Sequence, residues 1–137
     1  RLGFPELMDL SKEEIYYPYT YVVVSRAFLE RNQNLIRPFL AASIEGIHRF
    51  KTDKRLARKL IAKYLRVTDE TVLEQTHGLF SDLFERVPYI KREGIDSLAQ
   101  LLGEQDSKIQ AFKADSVVED RFVRDLETSG FIKSLYK

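Results

Sequence analysis

The sequence predicts an α/β chain in which helices predominate and a single β-strand stands apart from them. Three observations support this fold class. Residues 19–25 read YTYVVVS, and β-branched and aromatic side chains of this kind fit a pleated surface. After residue 25, apolar side chains recur at three- and four-residue steps, which is the spacing of amphipathic helices. No segment repeats at a constant period, so a helical solenoid is excluded.

The predicted strand contains three consecutive valines, at positions 22–24. A half-buried strand would alternate apolar and polar residues instead. An uninterrupted apolar run is typical of a strand covered on both faces, as in parallel sheets. Because one strand cannot make a sheet, we expect its partners to come from another chain or from polypeptide outside these 137 residues.

Residues that cap helices mark the starts of the first four helices. Ser25 caps a short helix, and Asn32 caps a second one. Pro38 lacks an amide, so we expect the second helix to kink there or to start late, near residue 37. Asp53 caps the third helix, and Thr68 opens the fourth, with acidic residues in its first turn.

Proline and glycine delimit the remaining helices. Pro88 ends the fourth helix, and a fifth runs from about residue 92 to Gly103. Residues 103–116 are mostly polar and are expected to form a loop. The last helix runs from about residue 118 to Gly130, and a short terminal turn follows it.

Composition excludes several functional classes. The chain has 22 basic and 21 acidic residues, a net charge of +1, which argues against nucleic acid as the main partner. There is no cysteine, so disulfides, thiol nucleophiles and thiolate metal sites are excluded within the chain. No phosphate-binding glycine loop and no serine-hydrolase motif occurs. We therefore expect no enzymatic activity and no cofactor.

Two Glu-x-x-His pairs are the only pattern that suggests a metal. They are Glu45 with His48, and Glu74 with His77. Di-iron helical bundles use two such pairs together with two further inward glutamates. Those further glutamates are missing here, so the prediction is that no metal is bound. A helical metalloprotein or bundle enzyme remains the weakest of three alternatives.

The aromatic cluster YYPYT, residues 16–20, is the main candidate for a ligand wall. Tyrosine offers an apolar face with a polar tip, which suits small-molecule sites as well as interfaces. Pro18 favours an extended or turn conformation at Tyr17. From the residues alone, these rings either face a ligand or pack on the edge of a sheet, and both interpretations stay open.

The order of the segments resembles a known family. The pieces are YTYVVVSRAFLERN, FLAASIEGIHRFKTDK, KLIAKYL and VLEQT, followed by RVPYIKREGIDSL and EDRFVRDLETSGFIKSLYK. In this order and spacing they resemble the C-terminal part of periplasmic substrate-binding proteins of ABC importers, of the nitrate/sulfonate/taurine (SsuA-like) type. The resemblance extends from about residue 3 to the end of the chain, and no single motif in it is diagnostic.

The resemblance implies a fold and a division of the chain. The family has the type II periplasmic binding protein fold, in which two α/β lobes are joined by a hinge. Residues 1–16 would then end the excursion into the second lobe, and residues 17–25 would form the hinge-crossing strand. Residues 26–137 would be C-terminal helices packing on the first lobe. This fragment is accordingly expected to be mostly α-helical, with one or two strands.

The resemblance also implies a function. The whole protein would capture a small molecule, of the sulfonate, nitrate, taurine-like or pyrimidine class, and deliver it to ABC permease subunits. Tyr17, Tyr19 and Thr20 would lie on the cleft side. The protein would be periplasmic, or lipid-anchored or secreted outside the cell, with a signal peptide encoded upstream. A fragment without its sheet exposes surface that a second copy can cover, so a homodimer is a further expectation.

An independent function stays open beside the importer role. The chain can instead be a helical protein-interaction domain whose single strand pairs with the sheet of a partner. This alternative needs no small-molecule ligand. It requires only that the strand be accessible and that the helices fold on their own.

Overall fold

A computed structural model of the protein describes residues 7–8 and 20–137. Within these residues the secondary structure is helical: eight α-helices and a 3-10 turn over Ala114–Ser116. The helices are α1 (Arg26–Arg31), α2 (Gln33–Thr52), α3 (Lys54–Leu65), α4 (Glu70–Leu83), α5 (Arg92–Gly103), α6 (Ser107–Gln110), α7 (Arg121–Thr128) and α8 (Phe131–Leu135).

The predicted strand is wrong over the part of it that the structure describes. Residues 20–25 form neither strand nor helix, and no β-strand occurs anywhere in residues 7–8 and 20–137. Valines have a high preference for strands, but a strand exists only when a second extended segment accepts and donates its ladder hydrogen bonds. Within residues 7–8 and 20–137 the rest of the chain forms only helices and loops, so no strand in that part pairs with the valine run.

The α/β fold class is corrected accordingly. The two-lobed type II binding-protein architecture requires a sheet, and the described residues are all-helical and contain none. The expectation of a sheet rested on the apolar run at residues 19–25 and on the family resemblance, and the described residues form no strand. The division at residues 16 and 25 falls largely outside the described residues and stays a prediction.

The chain divides into two compact units. The smaller one is described over residues 7–8 and 20–23 and over Ile90–Val118, and in the last of these stretches α5 packs against α6 and against the 3-10 turn. Asp96 fastens this turn, since its Oδ1 accepts a hydrogen bond from the amide of Ala114 at 2.9 Å. Arg92 Nε lies 2.7 Å from Asp115 Oδ1 in the same turn. The predicted loop over residues 103–116 therefore contains two short helical turns.

The larger unit comprises Val24–Tyr89 and Glu119–Lys137 and is built around α2. One side of α2 packs against α7 and α8, where Ile44, Leu126 and Ile132 form a buried cluster. Ile44 is completely inaccessible to solvent. Helix α3 packs on α2 and also on α4, so α2, α3 and α4 follow one another in contact.

Capping side chains start the helices largely as predicted. Ser25 Oγ accepts from the amide of Phe28 at 3.2 Å, and Asp53 Oδ1 accepts from the amide of Leu56 at 2.9 Å. These two caps are confirmed. At α4 the cap is Asp69 rather than Thr68, and its Oδ1 accepts from two amides, those of residues 71 and 72. A carboxylate satisfies two free amides and also favours the positive end of the helix dipole.

Helix α2 begins earlier than Pro38 would suggest. Its first turn forms over residues 33–36, where the amides of Leu35 and Ile36 both bond to the carbonyl of Asn32. A late start near residue 37 is therefore wrong. Asn32 occupies the cap position, but its side chain donates backward to the carbonyl of Phe28 at 2.8 Å. It thus satisfies the end of α1 rather than the start of α2.

Candidate functional site

Of the three predicted ligand-facing residues, only Thr20 lies in the described part of the chain. Tyr17 and Tyr19 fall outside it. Thr20 is exposed and has no regular secondary structure. The assignment of these residues to a ligand cleft therefore stays a prediction.

The first Glu-x-x-His pair has other partners. Glu45 Oε1 lies 3.3 Å from Arg49 Nε one turn further along α2. The ring of His48 packs edge-on against Tyr136, with ring centroids 4.7 Å apart. Arg86 covers the same tyrosine, its guanidinium 4.6 Å from the ring centroid. Burial raises the pKa of the Tyr136 hydroxyl, which has no hydrogen-bond partner among the described residues.

The second pair is likewise engaged elsewhere. Glu74 on α4 accepts a hydrogen bond from Lys54 on α3, and its other oxygen lies 3.4 Å from Arg58. The hydrogen bond from Lys54 lowers the pKa of the Glu74 carboxyl below its ordinary value of 4.5. Across residues 7–8 and 20–137, no three potential metal ligands lie close enough together to hold an ion.

His77 forms a buried polar contact between α4 and the end of α2. It is 8% exposed, and its Nε2 lies 2.9 Å from the carbonyl oxygen of Phe50. A carbonyl only accepts, so we assign the ring proton to Nε2. The hydroxyl of Ser81 lies 3.2 Å from the same nitrogen. The imidazole also packs on the Phe50 ring, with centroids 5.2 Å apart.

Lys51 completes this contact from the other side. Its ammonium donates to the carbonyl of Phe84 at 2.7 Å and also to the carbonyl of Ser81. Both carbonyls belong to the last turn of α4, where a helix leaves acceptors unsatisfied and where positive charge is favourable. Sequence reasoning missed this contact, because no local pattern reveals that Lys51 meets carbonyls thirty residues away.

The extended segment of residues 21–24 is the most unusual surface of the described chain. All four side chains are exposed, and Val23 is 85% exposed. Among the described residues, nothing forms a backbone hydrogen bond with this segment. Helix α1, which follows it, contains no buried residue. An exposed apolar run whose amides and carbonyls make no hydrogen bond with the other described residues is suited to binding another polypeptide.

The second notable surface is an open groove of about 540 Å³ between α3 and α4. Cationic side chains dominate its lining: Lys54, Arg55, Arg58 and Lys59, with Glu70 opposite them. Arg58 pairs with Glu70 across the groove. Lys54 and Arg58 already have carboxylate partners on α4, whereas Arg55 and Lys59 have none among the described residues.

The comparisons with known proteins give no relative. No protein-family model, no curated protein and no solved structure matches this chain. In the described residues no helix is long and apolar enough to cross a membrane.

Proposed function

We propose that this chain is the C-terminal section of a solute-binding protein that serves an ABC importer. The whole protein captures a small molecule of the sulfonate, nitrate, taurine-like or pyrimidine class and delivers it to permease subunits, in the periplasm or at the outer face of the cell. It is a binding protein and not an enzyme. Capture of a small molecule by this protein does not require the α/β fold that the sequence predicted.

One observation carries the proposal beyond the resemblance in sequence. The run YVVV, residues 21–24, is exposed and unpaired in the described structure. Burial of apolar surface is favourable by about 25 cal/mol per Å², so the exposed surface of these three valines can contribute binding free energy when another polypeptide covers it. Further polypeptide that covers this segment would place the neighbouring YYPYT residues inside a larger protein, where they can contact a ligand.

The polar residues of the larger unit are consistent with a binding role. Lys51 and His77 are held by backbone carbonyls and join α2 to α4. Groups occupied in this way stabilise the helices and are not available as a general acid or base. They support a scaffold whose ligand contacts lie elsewhere.

A thermal-shift screen tests this proposal. The natural full-length protein that carries this sequence is heated with taurine, a longer alkanesulfonate, nitrate, bicarbonate or an aminopyrimidine. A specific ligand at about 100 times its Kd stabilises the folded state by about 2.7 kcal/mol and raises the Tm. Tyr19→Ala and Thr20→Val should weaken the shift, and Tyr64→Ala, on the exposed face of α3, should leave it unchanged. A folded protein whose Tm responds to none of these compounds would contradict the proposal.

Strand pairing with a partner is a second candidate, favoured by residues 21–24, whose backbone makes no hydrogen bond with the other described residues. In that case the chain folds alone, binds no compound of the panel and adds this segment to the sheet of another protein. Val23→Pro removes an amide and should abolish the pairing, whereas Val23→Thr keeps it. Hydrogen exchange of residues 21–24 in the natural full-length protein measures the difference. Equal exchange in both variants would exclude pairing at this segment.

A further inference from the structure

Helix α3 is the most strongly charged element of the chain. Together with Arg66, which follows it, the helix carries six basic side chains and no acidic one. The net charge of the whole chain is only +1, so this positive charge is concentrated locally. Lys54 and Arg58 face α4 and pair with glutamates there. The remaining basic side chains, Arg55, Lys59, Lys63 and Arg66, are exposed and have no acidic partner among the described residues.

Arg55, Lys59 and Lys63 form a row along one side of α3, which we call the cationic stripe; Arg55 and Lys59 also line the groove beside α4. Their spacing of four residues places them on one side of the helix, opposite the buried Ala57 and Ile61. All three are exposed, and no acidic side chain among the described residues pairs with any of them. At 1.5 Å per residue the stripe extends over about 12 Å.

Exposed apolar side chains lie beside the cationic stripe. Tyr64 is 72% exposed, and Leu60 and Leu65 on the same helix are exposed as well. The ammonium of Lys63 lies 5.3 Å from the centroid of the Tyr64 ring. Lysine and arginine heads next to tyrosine and leucine are the combination found on helices that lie in the interface of a bilayer.

We propose that the cationic stripe docks α3 on an anionic phospholipid surface, with Leu60 and Tyr64 entering the headgroup region. The three charges extend over about 12 Å, and Lys63 lies outside the groove that Arg55 and Lys59 line, so together they suit a charged plane better than a single small anion. The adjacent apolar side chains favour a lipid surface over an acidic protein face. This inference does not depend on the proposed transport function.

Co-sedimentation with vesicles gives the first test. The full chain is mixed with vesicles of phosphatidylcholine alone or of phosphatidylcholine with a minority of phosphatidylglycerol. The chain should bind only the anionic vesicles, and high salt should release it. Each basic residue near such a surface contributes about 1 kcal/mol, so the triple variant Arg55→Gln, Lys59→Gln, Lys63→Gln should bind on the order of 100-fold more weakly.

A matched variant controls for net charge. Lys108→Gln, Lys113→Gln and Lys133→Gln together remove the same charge from exposed positions outside α3. This variant should bind anionic vesicles nearly as well as the unaltered chain. Circular dichroism confirms that both triple variants keep their helices, since glutamine has nearly the helix propensity of lysine and arginine. An equal loss of binding to anionic vesicles in both triple variants would overturn the proposal.

Fluorescence locates the contact. The chain has no tryptophan, so Tyr64→Trp introduces a single fluorophore beside the cationic stripe. Its emission should shift to the blue on anionic vesicles, while that of Leu101→Trp, at a position 54% exposed on α5, should not. Vesicle binding without a shift at position 64 would refute docking through α3. If the chain bound polyglutamate but no vesicle, the proposal of a lipid surface would be wrong, and the partner of the cationic stripe would be an acidic protein.

Discussion

The ammonium of Lys51, near the end of α2, lies 2.7 Å from the carbonyl oxygen of Phe84, the residue that ends α4. One side chain thereby joins the ends of two helices that are separated by the whole of α3. The ammonium also bonds to the carbonyl of Ser81, so it satisfies two acceptors that the helix leaves free. The contact between α2 and α4 thus includes a charge as well as apolar packing.

Removal of the Lys51 ammonium should weaken the contact between α2 and α4. Lys51→Met keeps most of the side-chain length and loses the ammonium, and we expect it to lower the free energy of unfolding by about 1–2 kcal/mol. Lys59→Met makes the same change at an exposed position without a carboxylate or carbonyl partner in the described structure and should have little effect. Urea unfolding measures both. Equal stability of the two variants would show that the bonds to α4 contribute nothing.

The packing of α2 against α7 and α8 depends on Ile44. This residue is fully inaccessible and contacts Leu126 and Ile132. Ile44→Ala should cost about 2–5 kcal/mol, because it removes buried apolar surface and leaves a cavity. Leu35→Ala on the same helix removes an exposed side chain and should change stability by less than about 0.5 kcal/mol. Urea unfolding of the two variants should rank them in this order, and the reverse order would contradict the arrangement of the core.

Asp69 is expected to stabilise the start of α4. Its Oδ1 accepts hydrogen bonds at 2.8 and 3.0 Å from two amides of the first turn. Asp69→Ala should cost about 1 kcal/mol of stability. Asp82→Ala removes the same charge near the other end of the same helix, where a negative charge is unfavourable, and should not destabilise. Thermal unfolding followed by circular dichroism compares the two, and no difference in Tm would argue against the cap.

The ion pair between Lys54 and Glu74 predicts a pH dependence. The pKa of Glu74 is lowered in the folded state, so its ordinary value of 4.5 applies to the unfolded chain. The ionised carboxylate therefore contributes stability above pH 4.5, and this contribution is lost as the pH falls below that value. Glu74→Gln should destabilise the protein at pH 7 and lose its effect in acid. Glu30→Gln, at an exposed position, should show no such pH dependence, and parallel curves for the two variants would exclude the pairing.

The starts and ends of helices could be predicted from the sequence where a local signal exists. Ser25 and Asp53 are caps in both sequence and structure, and α5 ends at Gly103 as the glycine predicts. These features depend on residues within one turn of each other, so a single sequence contains the information. Asp69, and not the predicted Thr68, caps α4. Both residue types are good caps, and only the register of the helix decides between them.

Contacts between distant residues could not be predicted. The apolar periodicity of α3 predicts that Leu60, Tyr64 and Leu65 face inward, but the structure exposes all three and buries Ala57 and Ile61. An apolar stripe shows which face can pack, and only the positions of α2 and α4 decide how wide the contact is. The prediction of a strand was wrong for the same reason. A strand needs a second segment to pair with, and the local sequence does not show whether that segment exists.

The open valines at positions 22–24 have a practical consequence for handling the protein. An exposed, uncharged, β-branched segment that makes no backbone hydrogen bond with the other described residues is a template on which a second chain can add, and growth of that kind leads to aggregates. The chain on its own should therefore remain dispersed only at low concentration. Val23→Lys places a charge in the middle of the segment and should extend the usable concentration range, as light scattering against concentration would record.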